Sequence, residues 1–291
     1  MALQRRSRLD FGHTDAIRLI DGGGDGLPGI YLEDFAGRWL LSTTSGSLPE
    51  STRRWFDSRD GTLYWKILDQ HERESPHHLG GPVQNGPFTI RENGIHYRVS
   101  FESGYSQGIF LDQRDNRRNV RERCRAGDTV LNTFAYTGAF SVAAALGGAV
   151  TTTLDLSQPY LDWARDNLRL NRQDPDEHFF VRGDTFHWLR RFAKQGRRFT
   201  GIILDPPSFS RDDRGKVFRA EKHYGQLAEL AASCLAPGGW LLCTTNHRGI
   251  RLRQFERTIL DALPSGATTE TFPLPPDFNG EPCLKTILAT L

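Results

Sequence analysis

Cysteine is scarce in this chain of 291 residues, and its four cysteines lie far apart. Cys124, Cys234, Cys243 and Cys283 form no C-x-x-C pair, so the sequence predicts neither a disulfide framework nor a zinc site. No stretch approaches the roughly 20 apolar residues that span a bilayer. The basic start, residues 1–8, lacks the apolar run of a secretory signal. We therefore expect a cytoplasmic protein that binds no membrane and no metal.

Lysine is also rare, with 5 lysines against 32 arginines. A GC-rich coding sequence would produce this bias, but guanidinium groups also suit contacts with phosphate better than ammonium groups do. Between residues 114 and 125 there are six arginines and two acids. Such a run usually marks a solvated helix face, yet four of the arginines recur at helical spacing and could bind phosphate from one face. These four are Arg114, Arg117, Arg118 and Arg121.

Short strands separated by turns fill the first hundred residues. Strand candidates lie at 16–20, 29–33, 38–44, 62–68, 88–91 and 96–101, with a helix candidate at 49–58. Asn93-Gly94 separates the last two strands and is a strong hairpin signal, because both residues tolerate positive φ. The pattern predicts a small β-rich α+β domain over residues 1–99.

From residue 100 onward the pattern changes to strand–helix alternation. Strand candidates at 129–132, 149–154, 179–182, 201–204 and 240–244 are separated by helix candidates, and 268–272 and 283–291 add two more strands. Such alternation implies right-handed crossovers and a mainly parallel sheet covered by helices on both faces. Residues 100–291 are therefore predicted to form a Rossmann-like α/β domain with a seven-stranded sheet.

Ligands of such sheets bind at the carboxyl ends of the strands, so the residues at which each strand stops are informative. After the first strand, Gly138 opens a helix whose N-terminal amides can face an anionic group. This turn has one glycine rather than three, and an ordinary strand–turn–helix junction would also explain it. The second strand ends on Asp155, 17 residues further on. That offset suits an acid that accepts hydrogen bonds from ribose hydroxyls, while Ser157 could cap the next helix.

The third and fourth strands also end on carboxylates. Gly183-Asp184 follows the third strand, and Asp205-Pro206-Pro207-Ser208-Phe209 follows the fourth. Two consecutive prolines fix the chain and remove two amide donors. They leave a carboxylate, carbonyl groups and an aromatic ring held rigidly, as recognition of a flipped planar base requires. Each motif occurs alone in ordinary proteins, but four successive strand ends of this kind form a stronger pattern.

Residues 132–249 resemble the class I S-adenosylmethionine-dependent methyltransferase core of the bacterial large-subunit rRNA methyltransferases, in particular the guanine-N7-methylating C-terminal half of the bifunctional RlmKL. The matching stretches are Gly108–Asp112, Phe134–Gly138, Gly147–Asn171, Asp205–Ser210 and Asn246–Gly249. The first domain, with Asp25–Gly29 and Glu92–Gly94, is similar to the β-rich domain that precedes the core in this family and in RlmI-type cytosine-C5 enzymes. The resemblance covers roughly residues 16–291.

The resemblance implies S-adenosylmethionine as cofactor and a base of RNA, in rRNA or a ribosomal precursor, as substrate. Asp155 would bind the ribose hydroxyls and Asp184 the adenine amino group. The expected cofactor-binding residues are Gln113, Arg114, Asn132, Phe134, Tyr136, Gly138, Asp155, Leu156, Asp184, Thr185 and Asp205. The expected catalytic residues, which face the target base, are Asp205, Pro206, Pro207, Phe209 and Asn246. The expected RNA-binding residues are Arg114, Arg117, Arg118, Arg121 and Arg248.

One departure from the resemblance concerns the target atom. Methylation of cytosine at C5 needs a thiolate that adds to the ring. Asn246 occupies the position aligned with that cysteine, and Cys243, three residues earlier, is expected in the core. A ring nitrogen such as guanine N7 already carries a lone pair and needs only positioning. A guanine ring nitrogen is therefore favoured over cytosine C5.

A second departure is the lack of both the N-terminal half of RlmKL and the PUA module of RlmI-type enzymes. RNA docking is then expected on the small first domain and on the arginines. Three other interpretations stay open: a methyltransferase for a small molecule or protein, a Rossmann domain for another nucleotide, and a non-catalytic RNA-binding module. The histidines His77, His78, His223 and His247 lack metal-ligand spacing.

Overall fold

A computed structural model of the chain describes residues 2–48, 50–57, 61–68, 74–104, 106–211, 217–281 and 283–291. The chain divides into two compact units, residues 1–114 with 274–282 and residues 115–273 with 283–291. The sequence suggested a boundary at residue 99. The difference has a physical reason, because the guanidinium of Arg114 forms an ion pair with the buried carboxylate of Asp277 inside the first unit.

The first unit contains a five-stranded sheet and a separate hairpin. Its strands are β1 Ala16–Asp21, β2 Ile30–Phe35, β3 Arg38–Thr43, β4 Thr62–Ile67, β5 His77–Gly80, β6 Phe88–Glu92 and β7 Ile95–Val99, and its helices are α1 Ala2–Arg6 and α2 Glu50–Asp57. The sheet order is β1-β2-β3-β4-β5, with β3 and β4 parallel and the other pairs antiparallel. A small α+β domain was predicted here and is confirmed; helix α1 and strand β5 were not expected.

The β6–β7 hairpin turns where the sequence predicted. Asn93 has φ 49° and Gly94 has φ 79°, both in the region that a tight hairpin turn demands. Ile90 and Ile95 from the two strands are buried. The alternation of buried and exposed residues along both strands gives the hairpin one apolar face.

The second unit alternates helices with strands. Its helices are α3 Arg114–Arg123, α4 Ala139–Leu146, α5 Gln158–Leu170, α6 Thr185–Lys194, α7 Ala220–Ala232 and α8 Leu252–Asp261. Its strands are β8 Thr129–Thr133, β9 Val150–Asp155, β10 Phe179–Arg182, β11 Phe199–Leu204, β12 Phe209–Arg211, β13 Val217–Arg219, β14 Leu235–Thr245, β15 Thr268–Phe272 and β16 Lys285–Thr290. The short β12–β13 pair was not predicted.

Seven of these strands form one sheet in the order β10-β9-β8-β11-β14-β16-β15. The first five are parallel to one another, and β16 is antiparallel to both β14 and β15. The predicted Rossmann-like, mainly parallel seven-stranded sheet is thus confirmed. The strand order reverses between β8 and β11, so the crevice for a ligand is expected at the carboxyl ends of these two strands.

Close packing across the sheet explains one glycine in a central strand. Gly201 of β11 pairs with Trp240 of β14, and a Cβ at Gly201 would lie 2.1 Å from the Trp240 ring. The buried indole therefore requires glycine at that place. Among the helices that the structure describes, none is long and apolar enough to cross a membrane.

Candidate active site

The turn after β8 holds an unusual backbone conformation. Phe134, Tyr136 and Gly138 all have positive φ, between 51° and 74°, and for the two aromatic residues this conformation costs of the order of 1–3 kcal/mol. Such strain persists only where the surrounding structure enforces it. The turn is therefore a candidate ligand-binding segment, in the place that the strand-end argument indicated.

Asn132, the fourth residue of β8, is buried with 1% of its surface exposed. Its Nδ2 donates a 3.0 Å hydrogen bond to the Ser141 hydroxyl, and Thr153 donates to the same hydroxyl at 2.8 Å. The Asn132 Oδ1 atom has no hydrogen-bond partner. Leaving a buried acceptor unsatisfied costs about 1–3 kcal/mol, so a donor on a bound ligand would account for this atom.

Asp155 joins the ends of β8 and β9. One carboxylate oxygen accepts the backbone N–H of Tyr136 at 2.8 Å, and the other accepts the N–H of Ser157 at 2.9 Å. Burial raises the pKa of Asp155 above its usual value, against the opposing effect of these hydrogen bonds. Each oxygen keeps a further lone pair, so two adjacent hydroxyls could donate to it. The Ser157 side chain, in contrast to our expectation, makes no capping hydrogen bond to α5.

Asp184 has a structural role that the sequence did not reveal. Its Oδ1 accepts the N–H of His187 at 2.8 Å and so caps helix α6. Only one carboxylate oxygen is used in this bond, and Asp184 is half-buried. The next residue, Thr185, is buried, whereas Leu156 after β9 is 36% exposed.

Gly138 is required by helix packing. A Cβ at this position would lie 2.5 Å from the Cβ of Ala164 on α5, a distance that real carbon atoms do not reach. The glycine therefore lets α4 start close to α5. This packing explains the glycine by itself. The approach of helix amides to a ligand, which the sequence suggested, is not needed to explain why residue 138 is glycine.

The loop after β11 is held by two groups that the sequence did not single out. Thr244 of β14 donates a hydrogen bond from its hydroxyl to the Asp205 carboxylate. The buried hydroxyl of Tyr224 on α7 lies 2.9 Å from the carbonyl oxygens of both Leu204 and Thr244. These contacts join the carboxyl ends of β11 and β14. Tyr224 could have been found from the sequence by its place on the apolar face of α7. A buried tyrosine hydroxyl usually has a hydrogen-bond partner, so its burial would have pointed to such a contact.

The residues beyond Asp205 reach the surface. Pro206 is buried, Pro207 is exposed, and the Phe209 ring is 55% exposed. Between them Ser208 donates a 2.7 Å hydrogen bond to Oδ1 of Asn246, which lies in the turn after β14. The structure thus brings together the proline loop and Asn246.

Phe218 connects three parts of this region and was missed. Its ring centroid lies 6.0 Å from that of Phe134 and 5.9 Å from that of Phe186, at the start of α6. Phe218 is buried, with 8% of its surface exposed. It belongs to β13 and stood in a stretch without a recognisable strand pattern. The three rings form an apolar wall beside the strained turn after β8.

Cys243 lies inside β14 and has no exposed surface. Burial raises the pKa of its thiol well above the usual range, and a thiol rather than a thiolate is a poor nucleophile. The prediction that Cys243 belongs to the core agrees with this position. Asn246, by contrast, is exposed.

The predicted arginine face requires a correction. Arg114 is buried in its ion pair with Asp277, and Arg117 is 2% exposed, with its guanidinium 5.8 Å from the Phe140 ring centre. Neither side chain therefore lies on an open surface. The sequence could not show this, because helical spacing does not tell which face of a helix packs inward. Arg118 and Arg121 are exposed, and Arg118 lies 3.5 Å from Asp115. Arg248 is exposed in the second unit, while Gln113 is buried in the first.

Comparisons with known proteins agree with this fold. The profile of the family described as S-adenosylmethionine-dependent methyltransferase matches residues 65–289. The chain is 35% identical over 293 aligned positions to YwbD of Bacillus subtilis, provisionally named a ribosomal RNA large subunit methyltransferase; 96% of this chain and 74% of YwbD are covered. It is 35% identical over 260 positions to the ribosomal RNA large subunit methyltransferase I of Klebsiella pneumoniae, covering 85% of this chain and 64% of that protein.

A solved structure shows the same similarity. SMU.776, described as a methyltransferase and solved in complex with SAH, has a TM-score of 0.88 and 30% identity, covering 99% of this chain and 78% of that one. The chain therefore belongs to the S-adenosylmethionine-dependent methyltransferase family. It is an enzyme that takes S-adenosylmethionine as cofactor.

The residues at the strand ends fit this cofactor. Asp155 offers a fixed carboxylate to a ribose diol, and the unpartnered Oδ1 of Asn132 offers an acceptor to an ammonium group. The rings of Phe134 and Phe218 add an apolar surface beside these groups at the turn after β8. When bound, S-adenosylmethionine supplies a methyl group on a positively charged sulfur.

Proposed function

We propose that the chain transfers a methyl group to a base of large-subunit ribosomal RNA, with a ring nitrogen of guanine as the acceptor. The RNA substrate is supported by the printed names of the Bacillus and Klebsiella relatives and by the proline loop at the carboxyl end of β11. The small first unit would contribute to RNA contact, as the sequence suggested.

One observation carries the choice of atom. The exposed position after β14 is Asn246, held by Ser208, while the nearby Cys243 is wholly buried inside the strand. A cytosine C5 reaction needs a thiolate at the base, and the site offers an amide instead. Nitrogen methylation needs no covalent adduct. The ring nitrogen uses its own lone pair to form the bond to the methyl carbon as the bond to sulfur breaks.

The residues of this chain would then position the base. Asp205, fixed by the Thr244 hydroxyl, offers a carboxylate that accepts N–H groups of the base edge. Asn246 offers an amide N–H, because its oxygen already accepts from Ser208. The exposed Phe209 ring offers a stacking surface. Positioning of this kind can contribute several kcal/mol to lowering a barrier.

The substrate class is tested by transfer of labelled methyl groups. The protein is incubated with labelled S-adenosylmethionine and, in separate reactions, protein-free large-subunit rRNA, ribosomal proteins and a small-molecule extract. We expect label in the RNA alone. Label only in protein or small molecules would reject the RNA substrate while leaving the methyltransferase assignment intact.

The absence of a thiol nucleophile is tested with 5-fluorocytosine-substituted rRNA. Enzymes that attack cytosine through cysteine become trapped on this base, and the adduct survives a denaturing gel. We expect no adduct from the parent protein, and we expect the Cys243→Ala and Cys283→Ala variants to keep most of their methyl transfer. An adduct that either substitution abolishes would favour cytosine C5 instead.

A further inference from the structure

Helix α6 carries an exposed basic stripe that lies outside the site described above. His187, Arg190, Arg191 and Lys194 follow the spacing i, i+3, i+4, i+7 and are all exposed. On the opposite face Phe186, Leu189 and Phe192 are buried in the core of the second unit. Residues at this spacing lie on one face of a helix. The exposed face of α6 thus consists of cationic and imidazole groups, and we call these four residues the α6 stripe.

Asp184 caps the start of α6 by accepting the His187 N–H, and no acid follows it along the helix. Residues 185–198 contain five arginines and lysines and neither aspartate nor glutamate. Among the residues that the structure describes, Arg190, Arg191 and Lys194 form no ion pair with a carboxylate. The arginines of α5, the preceding helix in the chain, differ: Arg165 pairs with Asp162 at 3.0 Å, and Arg169 pairs with Asp166 at 3.1 Å. The arginines on α5 thus pair with carboxylates of their own helix, whereas among the described residues Arg190 and Arg191 on α6 do not.

The stripe also combines charge with aromatic rings. The Arg191 guanidinium lies 4.8 Å from the Trp188 ring centre, and Arg198 extends the exposed positive charge just beyond the helix. Arg197 is different, because its guanidinium donates to the Thr152 hydroxyl at 2.8 Å and packs against Phe192 and Phe199. The open charge therefore comes from the helix face and Arg198.

A purely structural explanation covers part of this pattern. Cations in the last turn of a helix interact favourably with its dipole, which accounts for Arg191 and Lys194. It does not account for Arg190 and His187, which lie further from the carboxyl end, or for Arg198 beyond it. Several unneutralised cations on one face are the electrostatic feature of a phosphate-binding surface.

We propose that the α6 stripe, with Arg198, binds phosphates of the substrate RNA. This inference rests on the proposed function and assigns its docking surface to α6 of the second unit instead of the Arg114–Arg125 segment. RNA is the occupant that charge complementarity favours, since its backbone carries one negative charge per nucleotide. Each phosphate contact also makes binding dependent on salt.

The experiment compares two triple variants with the same change in charge. One carries Arg190→Gln, Arg191→Gln and Lys194→Gln; its matched control carries Arg165→Gln, Arg169→Gln and Arg257→Gln, three arginines that each face a carboxylate one helical turn away. Dissociation constants for protein-free large-subunit rRNA are measured from low to high salt. Calorimetric titration with S-adenosylmethionine checks that the cofactor site of both variants is folded.

We expect the stripe variant to lower the slope of log Kd against log salt by about 0.7 per lost contact, or about 2 in total. Over a tenfold rise in salt the parent would then lose about 100-fold more affinity than this variant. The control should keep the parental slope. Equal slopes for parent and stripe variant, or equal losses in both variants, would overturn the proposal.

The proposed RNA substrate and the proposed phosphate binding by the α6 stripe can be rejected separately. Methyl transfer to RNA by the parent with an unchanged slope in the stripe variant would reject the stripe alone. If the parent neither binds nor methylates the RNA, the proposed substrate fails and the stripe proposal fails with it. Parental binding to vesicles of anionic phospholipid, without any response to RNA, would likewise contradict an RNA-binding role.

Discussion

The Ser208 hydroxyl donates a 2.7 Å hydrogen bond to the side-chain oxygen of Asn246, across 38 residues of sequence. This bond joins the loop after β11 to the turn after β14, the two strand ends that flank the proposed base site. It also determines how the amide is used. Because the oxygen already accepts a hydrogen bond from Ser208, the Asn246 nitrogen is the group left to donate to an acceptor on the base edge.

This relationship predicts graded effects of two substitutions. Ser208→Ala removes one hydrogen bond, worth about 0.5–1.5 kcal/mol, and should lower kcat/KM for RNA about 2- to 10-fold. Asn246→Asp removes the donor toward the base and should lower it further. The affinity for S-adenosylmethionine, measured by calorimetry, should stay at the parental value in both variants. An equal loss of cofactor affinity would place the pair in the cofactor site.

Asp155 should anchor the cofactor ribose. Asp155→Ala removes charge-assisted hydrogen bonding to the diol and should weaken S-adenosylmethionine binding by at least about 1.5–3 kcal/mol, the range for one such bond. Calorimetry on the folded variant measures this loss. The substitution also removes the acceptor for the Tyr136 and Ser157 amides, so the melting temperature of the unliganded variant is recorded beside it. Unchanged affinity in a stable variant would remove Asp155 from the site.

Cofactor affinity should also depend on pH through the same group. Burial raises the pKa of Asp155 above the usual value of about 3.9. The ionised form accepts hydrogen bonds from the ribose hydroxyls, so Kd should be constant near neutrality. It should rise about tenfold per unit as the pH falls below the raised pKa. Because the pKa is higher in the unliganded fold than in the unfolded chain, the stability that this group contributes is present at low pH and is lost as the pH rises through the folded-state pKa.

Asp155→Asn is the control for this pH effect, because it keeps the shape and removes the titration. Its cofactor affinity should be lower than that of the parent at neutral pH and nearly independent of pH on the acid side. Titrations of the ligand itself affect both proteins equally. If Kd rises equally at acid pH in the parent and in Asp155→Asn, another group is responsible for the pH dependence.

Gly138→Ala should destabilise the fold through helix packing. The new methyl carbon would lie 2.5 Å from the Cβ of Ala164, at a backbone φ of 74°. Overpacking typically costs about 1–3 kcal/mol, in addition to the strain of positive φ. Gly196→Ala is the matched control, since Gly196 has φ 68° and open space around it. Thermal unfolding should show a larger drop in melting temperature for Gly138→Ala than for Gly196→Ala. Equal drops would mean that the positive φ alone, and not packing against Ala164, causes the loss of stability.

Much of the fold could be read from the sequence, because strand–helix alternation and strand-end residues follow local rules. The mainly parallel sheet, the Asn93-Gly94 hairpin and the positions of Asp155 and Asp205 at strand ends were all predictable. The site residues that were missed depend on tertiary contacts. Tyr224 and Phe218 act through partners that lie distant in the sequence.

The arginine-rich segment shows the limit of periodicity. Spacing correctly indicated a helix that includes Arg114, but it could not tell that Asp277, 163 residues later, would bury its guanidinium. The basic residues of α6 also recur at helical spacing. They differ from the Arg114–Arg125 segment only in that the structure leaves them exposed and without acidic partners among the described residues. Which basic helix face is open is a property of the fold.

Methylation of a guanine ring nitrogen in RNA is checked by identifying the methylated nucleoside. Large-subunit rRNA is incubated with the protein and S-adenosylmethionine carrying a deuterated methyl group, and is then digested to nucleosides for mass spectrometry. The account predicts the heavy methyl group on a guanosine ring nitrogen, formed by the parent and by Cys243→Ala at similar rates. Heavy 5-methylcytidine as the product, lost in Cys243→Ala, would contradict it.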